Sequence, residues 1–301
     1  MKQTMQFTRF DAELDTDVCD AYNNAELTLT LKLGFQQINP AGTAATGTYN
    51  DYGDATAPTR NIARWTPASW TTWKTNFVAT AQRFWNGKFW LVNDAGLFQY
   101  QALGQTFVPN IYCKLKIESS DSAIGNHHTI SVVRLAASET WFGSHETLYD
   151  SLDTNSVRKA RDSAGNPIMQ RAHVHEVGHL LGLDHVDVGQ PHCPASGDTN
   201  ASACYGASDA SLNSVMGSGM TIRLENASPW RNAMRGFALA DALRAGPPTG
   251  LSLLMPYSRL FSFPTHLLAS WPAKLSRHYP RTLAEAQAGL NITNRVTRVA
   301  A

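Results

Sequence analysis

An α+β fold is predicted by three stretches of this 301-residue chain. ELTLTLKLGFQ, residues 26–36, alternates apolar and polar positions in the manner of a half-buried strand. A tryptophan-rich segment after Thr66-Pro67 repeats aromatic residues at three- and four-residue steps, the period of one helix face. HEVGHLLGLDH, residues 175–185, predicts a second helix and carries three histidines and a glutamate. A strand, a long helix, further strands and late helices, with no regular βαβα alternation, is an α+β order.

Residues 1–24 are polar, with five acids between Asp11 and Asp20, and read as a loosely held acidic lead-in. The strand that follows places Leu27, Leu29, Leu31, Leu33 and Phe35 on one face. NPAGTAATGTYNDYGDATAP, residues 39–58, reads as loop because turn-forming residues dominate it. Thr66 is a good N-cap and Pro67 suits the first helical position. Trp70, Trp73, Phe77, Ala81 and Phe84 then mark one helical face, and Asn86-Gly87 closes the helix. That spacing favours core packing over a surface for stacking sugars or bases. KFWLV (88–92), VPNIYCKLKI (108–117) and HTISVVRL (128–135) read as strands. Asn166-Pro167 is expected to open the motif helix, and Ser228-Pro229 a third helix with Trp230, Ala233, Met234, Phe237 and Leu243 along one side. Gly246-Pro247-Pro248 stops it. The expected organisation is therefore a lead-in (1–24), one domain (25–246) and a Pro-rich basic C-terminal extension (247–301).

Formal net charge is +1, so nothing global points to nucleic acid as a partner. The balance is uneven. From Gly246 onward six Lys/Arg face one Glu, or +5; the remaining 19 basic and 23 acidic residues give −4. No run of 18 apolar residues occurs, so no transmembrane segment is expected. MKQTMQFTRFDAELD lacks the apolar core of a secretory signal, and no signal peptide is visible. Cys193 and Cys204 flank a Gly/Ser/Asn/Asp-rich stretch, which makes them a candidate disulfide. Disulfides persist in oxidising compartments, so action outside the producing cell, by secretion or delivery, is the expectation. Nothing in the sequence speaks to oligomeric state.

The chemistry lies in the eleven residues 175–185. His175 and His179, four apart on a helix, share one face about one turn apart, so both imidazoles reach one metal ion. His185 is ten residues from His175, about 15 Å further along a continuous helix, too far to join them. The helix must stop, and Gly182 stands where an exiting chain needs a left-handed residue. Three neutral histidines leave one position of a tetrahedral zinc ion for water, the pattern of a single catalytic Zn2+. Glu176, roughly 100° round the helix from His175, suits a general base towards that water. The Asp-rich loop between Asp187 and Asp209 has oxygen donors for Ca2+ but no ligand pattern, and a solvated loop is the simpler reading.

HExxHxxGxxH resembles the signature of the metzincin metallopeptidases, and its wording here is similar to the matrixin branch. The resemblance implies a Met-containing turn downstream of the third histidine. SVMG, Ser214–Gly217, makes Met216 the candidate and Met220 the fallback. It also implies a twisted, mainly antiparallel or mixed sheet with a long upper helix, a zinc-binding active-site helix and a C-terminal helix. The implied activity is zinc-dependent endopeptidase, with a protein or peptide substrate lying along an edge strand, for which HTISVVRL is the nearest candidate. The chain departs from the family in three places. Ser218 stands where some members carry a tyrosine, Val186 follows the third histidine, and the link to Met216 is long. Two other functions fit the same residues: a metal-binding, non-peptidase module of toxin-like or adhesion type, and a zinc amidase acting on a cell-wall-type peptide.

Overall fold

A computed structural model describes residues 2–16, 25–91, 100–102, 105–107, 110–139, 147–245 and 273–275. Its elements run β1 (Lys2–Gln6), β2 (Asp11–Asp15), β3 (Ala25–Ile38), β4 (Thr46–Asn50), β5 (Thr59–Ala63) and α1 (Pro67–Trp85). Then come β6 (Phe89–Leu91), β7 (Tyr100–Ala102), β8 (Gln105–Phe107), β9 (Ile111–Ser120), β10 (His128–Val133) and β11 (Leu148–Asp150). Next are β12 (Val157–Arg161), β13 (Pro167–Gln170), α2 (Ala172–Leu180), α3 (Asp209–Leu212), α4 (Ser228–Ala245) and β14 (Ala273–Leu275). The fold is α+β, with both antiparallel and parallel strand pairing and few helices. Among the described residues no helix is long and apolar enough to cross a membrane.

The chain divides into two compact units. The first holds Met1–Thr30, Trp85–Lys116 and Leu224–Ala301. Its pairings are antiparallel: β1 with β2, β2 with the start of β3, β6 with β9, β7 with β8, and β14 with β6. Residues 2–15, expected as a lead-in outside the domain, therefore form a hairpin joined to β3. The reason is legible in hindsight. Phe10, Ala12 and Leu14 alternate with the acids and are buried, so the charges lie on one face of a strand. α4 begins at Ser228 as expected and buries Trp230, Ala233, Met234 and Phe237. The Trp230 indole lies 5.3 Å from the Phe89 ring and donates to Lys114 O at 2.8 Å. Residues 17–24, Gly246-Pro247-Pro248 and all of the C-terminal extension except Ala273–Leu275 lie outside the described residues.

The second unit holds Leu31–Phe84 and Ile117–Arg223. Here β3 pairs in parallel with β10, from Leu33↔His128 to Ile38↔Val133, and β10 pairs in parallel with β11. HTISVVRL is therefore hydrogen-bonded on both sides over Ser131–Val133 and does not offer the free edge expected of it. α1 opens on a reciprocal cap, in which Ser69 N donates to Thr66 Oγ1 and Thr66 N to Ser69 Oγ. Its stripe is core: Trp70, Trp73 and Phe77 are buried against Phe35 with ring centroids 5.1–6.4 Å apart. Fully burying Phe77 contributes roughly 1.5–3 kcal/mol. The indoles also find acceptors, Trp65 on Val132 O and Trp73 on Asp150 O, both at 3.1 Å.

Two hairpins of this unit depart from expectation. β4 and β5 pair across the stretch read as loop, where Ile62 joins an apolar cluster with Val133, Leu135 and Leu148. Asn166-Pro167 does not open the motif helix. The Asp162 carboxylate instead accepts from Ala164 N and Asn166 N, and Gly165 takes φ 84°. This closes a turn between β12 and β13, and Pro167 becomes the first residue of β13, a strand position that tolerates its missing N–H. The motif helix starts five residues later, at Ala172.

Candidate metal centre

The site lies wholly in the second unit and begins with α2, Ala172–Leu180. Nine residues are just enough to carry His175 and His179 on one face, one turn apart. The helix ends as the spacing requires. Gly182 takes φ 93°, its N–H donates to His179 O at 2.8 Å, and Leu183 N donates to Gly178 O at 2.9 Å. That pair of bonds is a Schellman motif, and it turns the chain so that His185 comes back to the helix.

The three imidazoles converge. His179 Nε2 lies 3.1 Å from His175 Nε2 and 3.1 Å from His185 Nε2. Each Nδ1 lies 2.7 Å from a backbone carbonyl oxygen: Val215 for His175, Leu183 for His179, Thr199 for His185. A carbonyl oxygen can only accept, so every Nδ1 carries the proton and every Nε2 presents a lone pair to the shared point. Three lone pairs aimed at one another repel unless a cation lies between them. A tetrahedral ion with bonds of 2.0–2.1 Å holds its ligand nitrogens roughly 3.3 Å apart, close to the separations found. Among the described residues, this is the only group of three or more His, Cys, Asp or Glu side chains whose ligand atoms converge in this way.

Burial favours the neutral form of two of the ligands. It pushes His175 well below the usual imidazole range, helped by the neighbouring His179, and lowers His185 as well. His173, two residues before the first ligand, stands apart from the cluster. It is fully buried against Phe77, with Nδ1 2.9 Å from Asp153 O, and burial lowers its pKa to about 4. Glu176 follows the first ligand and is itself buried.

The segment around Met216 forms a tight turn. Gly217 N and Gly219 N both donate to Ser214 O, and Val215 N donates to Thr221 O. A side chain at Gly217 or Gly219 would collide with the carbonyl oxygens of Ser211 and Asn213 respectively. Met216 is buried, its carbonyl accepts from Val186 N at 2.9 Å, and the carbonyl before it is the partner of His175. Gln170, at the end of β13, donates to Gly217 O at 2.8 Å and so ties the turn to the start of α2.

Cys193 and Cys204 are joined by a disulfide, with Cα atoms 5.2 Å apart. The loop they close contains Thr199, and the next residue after it is Tyr205. The sequence reading missed Tyr205, because its only signal was a place beside a candidate disulfide cysteine. Its ring lies 3.9 Å from His185 and 5.9 Å from His175. Burial raises its pKa, with the charges of Glu176 and Asp198 adding to the effect, so the phenol stays protonated. Asp198 within the loop accepts from Asn200 N, while Asp187, ahead of it, accepts from His192 Nε2 and from Ala207 N beyond it.

Compared with protein-family models, with curated proteins and with solved structures, the chain matches none.

Proposed function

We propose that this chain is a zinc-dependent endopeptidase of metzincin type, hydrolysing peptide bonds in protein substrates. The observation that carries the reading is the convergence of three neutral imidazoles, each with Nδ1 committed to a carbonyl, next to a buried glutamate. His175, His179 and His185 would hold the ion, and three nitrogen donors, which leave the fourth position of a tetrahedral ion to water, suit a catalytic rather than a structural zinc. Zinc, when bound there, supplies Lewis acidity that acidifies a water and polarises a peptide carbonyl. The Glu176 carboxylate takes the proton of the attacking water and returns it to the leaving amine. The turn at Met216 supports His175 through Val215 O, and Tyr205 walls the third ligand. The disulfide suits a protein that acts outside the producing cell.

The test pairs metal analysis with cleavage of an unbiased peptide library by the wild type and by Glu176→Ala. One zinc ion in both proteins, with cleavage falling about 10²–10⁴-fold in the variant, is the expected result. Zinc in both with no peptide cut by either would replace the reading with a non-peptidase metal module or with an amidase, which cell-wall-type peptides would distinguish. Absence of metal from the wild type would overturn it.

A further inference from the structure

The third ligand differs from the other two in what orients it. His175 and His179 both belong to α2, which fixes their backbone; His175 is further held by Val215 O and His179 by Leu183 O in the turn that ends the helix. His185 lies beyond the helix. Its Nδ1 is held by Thr199 O, 14 residues away in sequence, and its ring lies against Tyr205. Both partners come from a segment with little regular structure, containing only the short 3-10 turn Ser202–Tyr205 and a bridge between Gln190 and Cys193. That segment is fastened at a few points. The Cys193–Cys204 bond closes the loop around Thr199, Asp187 N donates to Cys204 O at 3.2 Å, and the Asp187 carboxylate accepts from Ala207 N at 2.7 Å.

We infer that the disulfide-closed loop is the positioning element for the third metal ligand, with Cys193, Cys204 and Tyr205 acting through His185 to set metal affinity. The inference rests on the metal-centre reading above. Its physical content is preorganisation. A ligand whose outer hydrogen bond and ring contact are held in place binds an ion without first ordering a loop. Loss of an orienting partner of this kind costs about 10–100-fold in metal affinity. Tyr205 contributes through its ring, which packs on His185, so removal of the hydroxyl alone leaves affinity unchanged while removal of the ring does not.

The experiment measures zinc affinity by competition with a chelator, and the cobalt(II) absorption spectrum, on the full chain. The proteins are the wild type, Cys193→Ala/Cys204→Ala, Tyr205→Phe and Tyr205→Ala, with each change repeated in a His185→Ala background. The expected result is a 10–100-fold weaker zinc affinity for the double cysteine variant and for Tyr205→Ala, with an altered cobalt spectrum and no change for Tyr205→Phe. In the His185→Ala background the same changes should have no further effect, because they act through that residue. Equal losses with and without His185, or unchanged affinity in Tyr205→Ala and the cysteine variant, would overturn the inference and leave the metal centre standing. Failure of the wild type to bind zinc or cobalt would instead remove the metal-centre reading itself.

Discussion

At the scale of single residues, protonation is decided by burial and by what a polar atom faces. The three histidines meet carbonyls through Nδ1, and burial lowers the pKa of His175 and His185. Asp150 shows the opposite case. It is buried beside Asp153, and burial together with that second charge pushes its pKa up to about 8. An unfolded aspartate titrates near ~3.9, so between those values the folded chain holds the extra proton and stability falls as pH rises. His173, with its pKa lowered to about 4, has the opposite sign: the unfolded chain holds its proton up to roughly pH 6.5, so its slope fades above about pH 7.5. Asp150→Asn keeps an acceptor for Leu152 N and cannot ionise. Relative to the wild type it should therefore gain roughly 2 kcal/mol between pH 6.5 and 8, read from urea unfolding at a series of pH values. A parallel pH dependence of the two proteins would show that Asp150 is already ionised at neutral pH. The residue scale also marks the limit of sequence reading. His175, Glu176, His179 and His185 could be singled out because ligand chemistry restricts residue type. The carbonyls of Val215, Leu183 and Thr199 could not, because any residue supplies a backbone oxygen. Tyr205 acts through a ring contact formed only when its loop folds.

Elements were legible where one pattern dominated. The β3 alternation and the α1 stripe were each read correctly because burial on one face leaves a period in the sequence. β2 was misjudged because Asp11, Glu13 and Asp15 obscured the alternation of Phe10, Ala12 and Leu14, and β1 because none of its five residues is fully buried. β4 and β5 were missed because only Ile62 of their ten residues is fully buried, which leaves no apolar alternation to read. The start of α2 was placed at Asn166-Pro167 because that dipeptide suits a hairpin turn and a helix start alike, and the Asp162 carboxylate decided for the turn. The end of α2 was legible, since only glycine takes the required backbone conformation cheaply. Gly182→Ala should cost about 1–2 kcal/mol, since φ 93° strains any residue with a Cβ. It should also weaken zinc binding, because Leu183 O and His185 both lie downstream of the turn. Urea unfolding and chelator competition measure the two effects. An alanine variant with wild-type metal affinity would mean that another part of the chain returns His185 to the helix.

For the molecule as a whole, the centre is confined to a short span of chain. Every group described as holding the histidines lies between Gln170 and Gly219, inside one of the two units. The sheet that α1 packs on is built on a different scale, since Leu33 pairs with His128 and 128 − 33 is 95 residues. Closing long loops slows folding, so sheet formation is expected to set the folding rate and the metal loops to settle afterwards. Contacts formed after the rate-limiting step act on unfolding alone. Zinc should therefore leave the refolding rate unchanged and slow unfolding, in stopped-flow experiments with and without the ion. Acceleration of refolding would place the centre in the folding nucleus. A metal held in so confined a span would be a brake on unfolding: it should lengthen the life of the folded chain without hastening its birth.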